Sequence, residues 1–252
     1  MDATLLAVVV AVVASAAGGL LVPRLVSAIP EIEPDEPAAA DEGDATVQAT
    51  APAAVDDPPE PFADIARIAG LGWKSVVVGA AAGAVLGAAL GWTWGLVLFV
   101  PLVPVSVALA VVDWRTRLLP TAVIRPTYAV LAALVLVGWL VTRDTGAVVT
   151  SVLGWLVAGG LFGLLWFIYP RGLGFGDVRL AGVLGIALGW LGWGPLLVGV
   201  YAGFLLGGVL GGILSVLKIV ERKGFPFGPF MLVGALVGVV WGADLWSRLV
   251  TG

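Results

Sequence analysis

Long apolar stretches separated by short polar segments set the pattern of this chain. The first stretch covers residues 5–22, and residues 75–112 contain no charged side chain. Because one helical span needs about 20 apolar residues, the second stretch predicts two spans. The hairpin between them is expected at residues 91–94, where Trp92 and Trp94 suit a membrane interface.

The remaining apolar stretches predict further spans over residues 127–141, 147–169, 180–193, 196–217 and 229–246. The pattern therefore predicts an all-α, polytopic integral membrane protein with about eight transmembrane helices. Residues 1–24 form the first predicted transmembrane helix and residues 75–252 a seven-helix membrane domain. A signal peptide is the alternative for the first stretch, but no basic segment precedes it.

The segment between the first two spans differs in composition. Residues 25–74 are rich in Pro, Ala and acidic side chains, and residues 29–64 contain no Lys or Arg. Such a segment has too little apolar surface to offset the entropy of ordering, so we expect a disordered cytoplasmic linker. Electrostatic docking of a basic partner is the functional alternative, although runs of charge are usually solvated.

Composition excludes several classes of protein. Hydrophobic residues make up 60% of the 252 residues and charged residues 12%, whereas about a quarter of a soluble domain is charged. The chain has no Cys and no His, which excludes a disulfide framework and removes the commonest metal ligand and general base. No basic patch favours nucleic-acid binding. Acid–base chemistry therefore falls to carboxylates, Lys or Tyr.

Basic residues predict the orientation in the bilayer. With the amino end outside, all but two of the 13 Lys and Arg residues fall in cytoplasmic segments, and only Arg143 and Arg248 lie outside. The cytoplasmic set is Arg24, Arg67, Lys74, Arg115, Arg117, Arg125, Arg171, Arg179, Lys218, Arg222 and Lys223.

Two aspartates are the candidate functional residues. Asp113 closes the apolar stretch 75–112, and Asp177 follows Gly174-Phe175-Gly176 just before another stretch. The predicted orientation brings both to the cytoplasmic face. An ionisable group at membrane depth costs roughly 3 kcal/mol on insertion scales and by default marks a functional site. A turn is the ordinary interpretation of Gly-x-Gly-Asp alone.

Other acidic residues of the membrane domain do not join this pair. Asp144 falls on the opposite face and Asp244 near the outer end of the last span. Glu221 lies on the cytoplasmic side but among Lys and Arg residues, which is typical of a solvated loop.

A third motif, Phe225-Pro226-Phe227-Gly228-Pro229-Phe230, follows the aspartates downstream. Together the three motifs, over residues 97–235, resemble the type IV prepilin peptidase family of membrane-embedded aspartic proteases. In that family the catalytic aspartates lie in Asp-(x)n-Ile-Pro and in Gly-x-Gly-Asp-Val-Lys-Leu. The resemblance therefore implies Asp113 and Asp177 as the catalytic pair. Its motifs imply supporting roles for Gly174, Gly176, Arg179 (where Lys is usual), Pro120 (after Leu119 in place of Ile), Pro226, Gly228 and Pro229.

The resemblance implies an endopeptidase that cleaves the leader of pilin-like precursors at the cytoplasmic face of the bacterial inner membrane. Water would be activated by two carboxylates that share a proton, with no metal and no cofactor. Many members carry a cytoplasmic domain with two Cys-x-x-Cys pairs, associated with methylating the product. This chain has no Cys, so we do not expect efficient methyl transfer.

Two other functions stay open at this point. Intramembrane acids also mark the pathways of proton- or cation-coupled transporters, although the sequence shows no convincing inverted repeat. A non-catalytic scaffold for pilus or secretion assembly would use the aspartates structurally. The expected partners are pilin-like precursors and the lipid bilayer, and the sequence does not indicate an oligomeric state.

Overall fold

The computed structural model describes residues 2–31, 60–170, 173–216 and 226–251, and every regular element in these ranges is helical. In chain order the elements are α1 (Ala3–Gly19), α2 (Val22–Ser27), α3 (Phe62–Ala66), α4 (Leu71–Leu90), α5 (Trp94–Phe99), α6 (Leu102–Thr116), α7 (Thr121–Thr142), α8 (Thr145–Gly154), a π-helical turn (Trp155–Gly159), α9 (Gly160–Ile168), α10 (Phe175–Leu191), α11 (Trp193–Val216) and α12 (Gly228–Thr251). The prediction of an all-α fold is confirmed for these residues.

Helices α1 and α4 pack through small residues. The buried positions of α1 recur at every fourth residue, as Ala7, Ala11, Ser15 and Gly19. A Cβ added to Gly79 of α4 would lie only 2.5 Å from the carbonyl oxygen of Ser15. Such close backbone approach is how helices associate in lipid, where no hydrophobic effect drives them together.

A proline break divides the third predicted span. α5 ends at Phe99 and α6 begins at Leu102, with Pro101 as its N-cap residue and Pro104 in its first turn. Proline has no backbone N–H and clashes with the carbonyl group four residues earlier, so one straight helix over this stretch cannot form. The predicted hairpin is present. α4 ends at Leu90, its C-cap residue Gly91 has φ 57°, and α5 and α6 contact α4.

Helix α10 lies at the centre of the bundle. Every residue from Leu180 to Trp190 is buried except Ile186, and α10 contacts α5, α7, α8, α9, α11 and α12. Glycines allow α8 to come close, since a Cβ on Gly189 would lie 2.8 Å from Cα of Ser151. The first turn of this enclosed helix carries one of the candidate aspartates.

Four helical stretches of the described residues are long and apolar enough to cross a membrane: Leu71–Leu90, Thr121–Thr142, Thr145–Ile168 and Gly228–Val250. Two shorter apolar helices are Ala3–Gly19 and Trp193–Val209. The predicted count of about eight spans is therefore not confirmed. α6 has 15 residues, since it begins only after Pro101, and α10 has 17, with Asp177 and Arg179 in its first turns.

Some predictions concern residues outside the described ranges. Residues 32–59, which form most of the predicted acidic linker, belong to this group, as do residues 217–225, with Glu221 and Phe225. Arg171 also lies outside.

The described ends of the linker segment lie close together. The carboxylate of Glu31 accepts hydrogen bonds from the backbone N–H groups of Phe62 and Ala63, at 3.1 and 2.9 Å. Helix α3 and the first residues of α4 therefore give regular structure to part of the segment 25–74. Val22, Val26 and Ile65 pack in a small apolar cluster that includes Val112 of α6.

Candidate active site

Asp113 lies in the last turn of α6 and is 3% exposed. The helix ends at Thr116, because the next residue, Arg117, adopts a left-handed conformation with φ 57°. The N–H of Arg117 donates to the carbonyl oxygen of Asp113 at 2.8 Å. Glycine is the usual residue at such a C-terminal position. The termination brings the chain round into Leu119 and Pro120, which lead into α7.

The carboxylate of Asp113 is held by the amino end of α12. The backbone N–H of Gly228 donates to Oδ2 of Asp113 at 2.9 Å. Gly228 is the first residue of α12, where N–H groups have no partner within the helix and the dipole favours negative charge. The motif around Gly228 thus contacts the candidate acid directly. The resemblance of the motifs implies only a supporting role for Gly228.

Asp177 lies in the first turn of α10 and is 7% exposed. Its Oδ2 accepts a hydrogen bond from the N–H of Gly174 at 3.0 Å, and its own N–H donates to the carbonyl oxygen of Gly174 at 3.0 Å. Together these two bonds resemble a capping box, in which the carbonyl group of Gly174 takes the place of an N-cap side chain. The ordinary turn role of Gly-x-Gly-Asp and a placement at the candidate site therefore coexist.

The structure brings the segments that carry the two aspartates together, because Leu119 lies against both Gly176, which precedes Asp177, and Gly228, which binds Asp113. Leu119 packs between the glycines beside them. A Cβ on Gly176 would lie 2.7 Å from Cβ of Leu119, and one on Gly228 would lie 3.4 Å from Cδ2 of Leu119. The end of α6 and the starts of α7, α10 and α12 therefore converge on one site.

Arg179 contacts α7 in this structure. Its Nη1 donates to Oγ1 of Thr121, and its guanidinium group lies 4.6 Å from the ring centroid of Phe175. Pro120 is the N-cap residue of α7. The arginine that replaces the usual lysine therefore ties the start of α10 to the start of α7.

Pro226 and Pro229 flank the first residue of α12, and Pro226 is buried. Proline suits the first helical turn, because the N–H that it lacks would have no partner there. These prolines leave the amide of Gly228 as the donor that meets Asp113.

Asp144 and Asp244 lie away from the site, as the sequence predicted. Asp144 caps α8 by accepting a hydrogen bond from Ala147 N–H at 2.9 Å, and Asp244 is exposed near the end of α12. Among the described residues no group of three or more acidic side chains could hold a metal ion.

One ion pair near the site was not foreseen. The guanidinium group of Arg115, two residues after Asp113, binds Glu60 through two hydrogen bonds of 2.7 and 2.8 Å. This contact lowers the pKa of the Glu60 carboxyl below its ordinary value. Charge alone could not identify the pair, because the two residues lie 55 positions apart. It joins the described carboxyl end of the acidic segment to α6.

Comparison with known proteins supports the resemblance drawn from the motifs. Residues 100–216 match the type IV leader peptidase family. This range includes Asp113 and Asp177, and the match confirms the resemblance.

Individual relatives give the same picture. The chain is 30% identical over 161 residues to a prepilin leader peptidase/N-methyltransferase of Aeromonas hydrophila, covering 63% of this chain and 54% of that protein. A protein of the same name from Pseudomonas putida is 27% identical over 175 residues, covering 65% and 58%. Leader peptidase HopD of Escherichia coli is 34% identical over 106 residues, covering 39% and 63%. The chain thus spans about half the length of the first two. No solved structure matches it.

Proposed function

Because residues 100–216 match the type IV leader peptidase family, we propose that this protein is a membrane-embedded aspartic endopeptidase. Its substrates are pilin-like precursors, from which it removes the leader peptide. The observation that carries the proposal is the convergence of Asp113 and Asp177, each buried and each bonded to a backbone N–H, within the matched residues.

In the proposed reaction the two carboxylates share one proton. The ionised aspartate takes a proton from water, and the water oxygen attacks the carbonyl carbon of the scissile peptide bond. The protonated aspartate donates its proton to the carbonyl oxygen. Collapse of the tetrahedral intermediate breaks the C–N bond, and the leaving nitrogen takes up a proton. The acid and base roles belong to the pair, because coupled groups titrate as a unit.

Backbone contacts prepare both carboxylates for this chemistry. Among the described residues, Oδ2 of each aspartate accepts a backbone N–H, from Gly228 or from Gly174. These bonds fix the orientation of both side chains. Preorganised groups of this kind are worth more in a water-poor site than in bulk water.

We propose that the site faces the cytoplasm at the inner membrane. The distribution of Lys and Arg favours this orientation. A precursor with a basic leader in the cytoplasm and an apolar helix in the bilayer would then present its cleavage site at the depth of the two aspartates.

The test is cleavage of a purified pilin precursor by the full-length protein in detergent or proteoliposomes. Asp113→Asn and Asp177→Asn keep the size of each side chain but remove proton exchange, so each is expected to abolish cleavage while the protein stays inserted. Asp144→Asn is the matched control, because Asp144 caps α8 away from the site, and it should remain near wild type.

An Asp177→Asn protein that cleaved the leader at a comparable rate would contradict the aspartic mechanism. A wild-type protein that failed to cleave the precursor would instead favour a cation-coupled transporter or a scaffold. Transport assays on the same preparation would then separate these two functions.

A further inference from the structure

Tyr128, on α7, makes a contact with α10 that the proposed mechanism does not use. Its hydroxyl donates to the carbonyl oxygen of Arg179 at 2.7 Å. That carbonyl belongs to α10 and lies two residues after Asp177. A tyrosine hydroxyl within an apolar bundle needs a polar partner, but a partner on this particular carbonyl connects α7 with the first turns of α10.

Two further residues, Trp155 and Gly182, lie beside this hydroxyl. The indole ring of Trp155 lies beside Gly182, next to the same hydroxyl. Gly182 leaves the space that both groups occupy: an added Cβ would overlap the hydroxyl of Tyr128 and lie 3.1 Å from Nε1 of Trp155. Three helical segments therefore meet at one hydroxyl group.

Trp155 reaches this position from an irregular helix. It is the first residue of the π-helical turn Trp155–Gly159, between α8 and α9. A π-helical turn inserts an extra residue and changes the direction of the side chains that follow, and such turns occur frequently at functional sites.

A second bond acts in parallel with the first. The side chain of Arg179 donates to Thr121, and Leu119 packs against Gly176. The start of α7 thus holds the start of α10 through a side chain, and Tyr128 holds it through the backbone. Both contacts lie within the turns that carry Asp177.

We propose that Tyr128 is a positioning residue for the pair of aspartates, and this inference rests on the proposed peptidase function. Its hydroxyl, which donates to the carbonyl oxygen of Arg179 in the space that Gly182 leaves, sets the register of α10 against α7. That register determines where Asp177 stands relative to Asp113.

The experiment is a double-mutant cycle on the full-length protein with a purified pilin precursor. Tyr128→Phe removes the hydroxyl with little change in volume, and kcat should fall about tenfold with KM little changed, because small misplacements of reacting groups reduce rates strongly. Tyr201→Phe is the matched control, since Tyr201 is 69% exposed. It should leave kcat unchanged.

Gly182→Ala supplies the second arm of the cycle. In the wild-type background its methyl group displaces the Tyr128 hydroxyl, so kcat should fall. In the Tyr128→Phe background that overlap is gone, and only the 3.0 and 3.1 Å contacts with the Trp155 ring remain. The double variant should therefore be no slower than Tyr128→Phe alone. Costs that added would show that the hydroxyl and the methyl group do not compete for this space.

The pH dependence of kcat provides a readout that loss of folded protein would not change. If the separation of the carboxylates changes, their coupled titration changes with it, so the profile of Tyr128→Phe should shift while that of Tyr201→Phe should not. Tyr128→Phe with the kcat and pH profile of Tyr201→Phe, or equal costs of Gly182→Ala in both backgrounds, would overturn the positioning role. Asp113→Asn and Asp177→Asn are assayed alongside. Failure of the wild type to cleave, or activity in those variants, would instead overturn the peptidase proposal and this inference together.

Discussion

Gly228 and Asp113 are 115 positions apart in sequence, yet the N–H of one donates to the carboxylate of the other at 2.9 Å. The bond joins the amino end of α12 to the last turn of α6. A negative charge is stabilised there by the unpaired N–H groups and the dipole of the helix. The contact makes the space at Gly228 part of the candidate site.

Gly228→Ala is therefore expected to reduce cleavage about tenfold or more, since a small displacement of a reacting group is costly. The added Cβ would lie 2.9 Å from Oδ2 of Asp113, so the carboxylate would have to move. The measurement is kcat on a pilin precursor. Gly160→Ala is the matched control, because a Cβ at Gly160 meets nothing within 4 Å. Equal activity of the two variants would show that the contact with Asp113 has no functional role.

Gly176→Val is expected to lose activity. A backbone conformation that favours glycine is not the reason, since among the described residues the glycines with positive φ are Gly70, Gly91 and Gly192. A Cβ at Gly176 would instead lie 2.7 Å from Cβ of Leu119. The expected loss of activity therefore comes from steric overlap with the segment that precedes α7.

The positions of the two aspartates could be predicted from sequence for a physical reason. A charged group is costly in the bilayer, so Asp113 and Asp177 had to lie at the ends of apolar stretches. The approximate ends of most helices follow from the same argument. The peptidase-type pairing came from the resemblance of the motifs and not from hydropathy.

Other features of the site could not be predicted. The bond from Gly228 to Asp113 depends on how α12 packs against α6, and the pairing of Arg115 with Glu60 spans a segment with no periodic pattern. The π-helical turn at Trp155 leaves hydropathy unaltered, because every residue from 155 to 159 is apolar or glycine. Pro101 is visible in the sequence, but length alone predicts one uninterrupted span after the hairpin at residues 91–94.

The pH dependence of cleavage should report two coupled titrations. Like charges that share a buried site cannot both ionise freely, so one proton is retained by the pair over a range of pH. Activity should be lost at low pH, where both carboxylates are protonated, and at high pH, where both are ionised. The measurement is kcat as a function of pH, with chelators added at the optimum. A single titration step, or inhibition by a chelator, would contradict the two-carboxylate mechanism.

Methyl transfer is expected to be absent or inefficient. Relatives are named prepilin leader peptidase/N-methyltransferase, but the present chain has no Cys, and the resemblance associates methylation with a domain that carries two Cys-x-x-Cys pairs. Mass spectrometry of mature pilin from cells with only this enzyme is the measurement. A shortened pilin without the added methyl group is the expected product, and a methylated amino terminus would contradict the prediction.

The orientation of the protein decides whether the aspartates can meet a leader peptide that stays in the cytoplasm. Arg143 follows the end of α7 at Thr142, whereas Asp113 and Asp177 lie near the opposite end of that helix. Because α7 is long and apolar enough to cross the membrane, reporter fusions at Gly43 and Lys223 should report the cytoplasm and a fusion at Arg143 the exterior. The fusion at Arg143 is the most informative of the three, since its side of the membrane is separated from the candidate site by a single helix. A fusion at Arg143 that reported the same side as Lys223 would contradict the orientation and remove the cytoplasmic placement of the site, even if purified protein still cleaved the precursor.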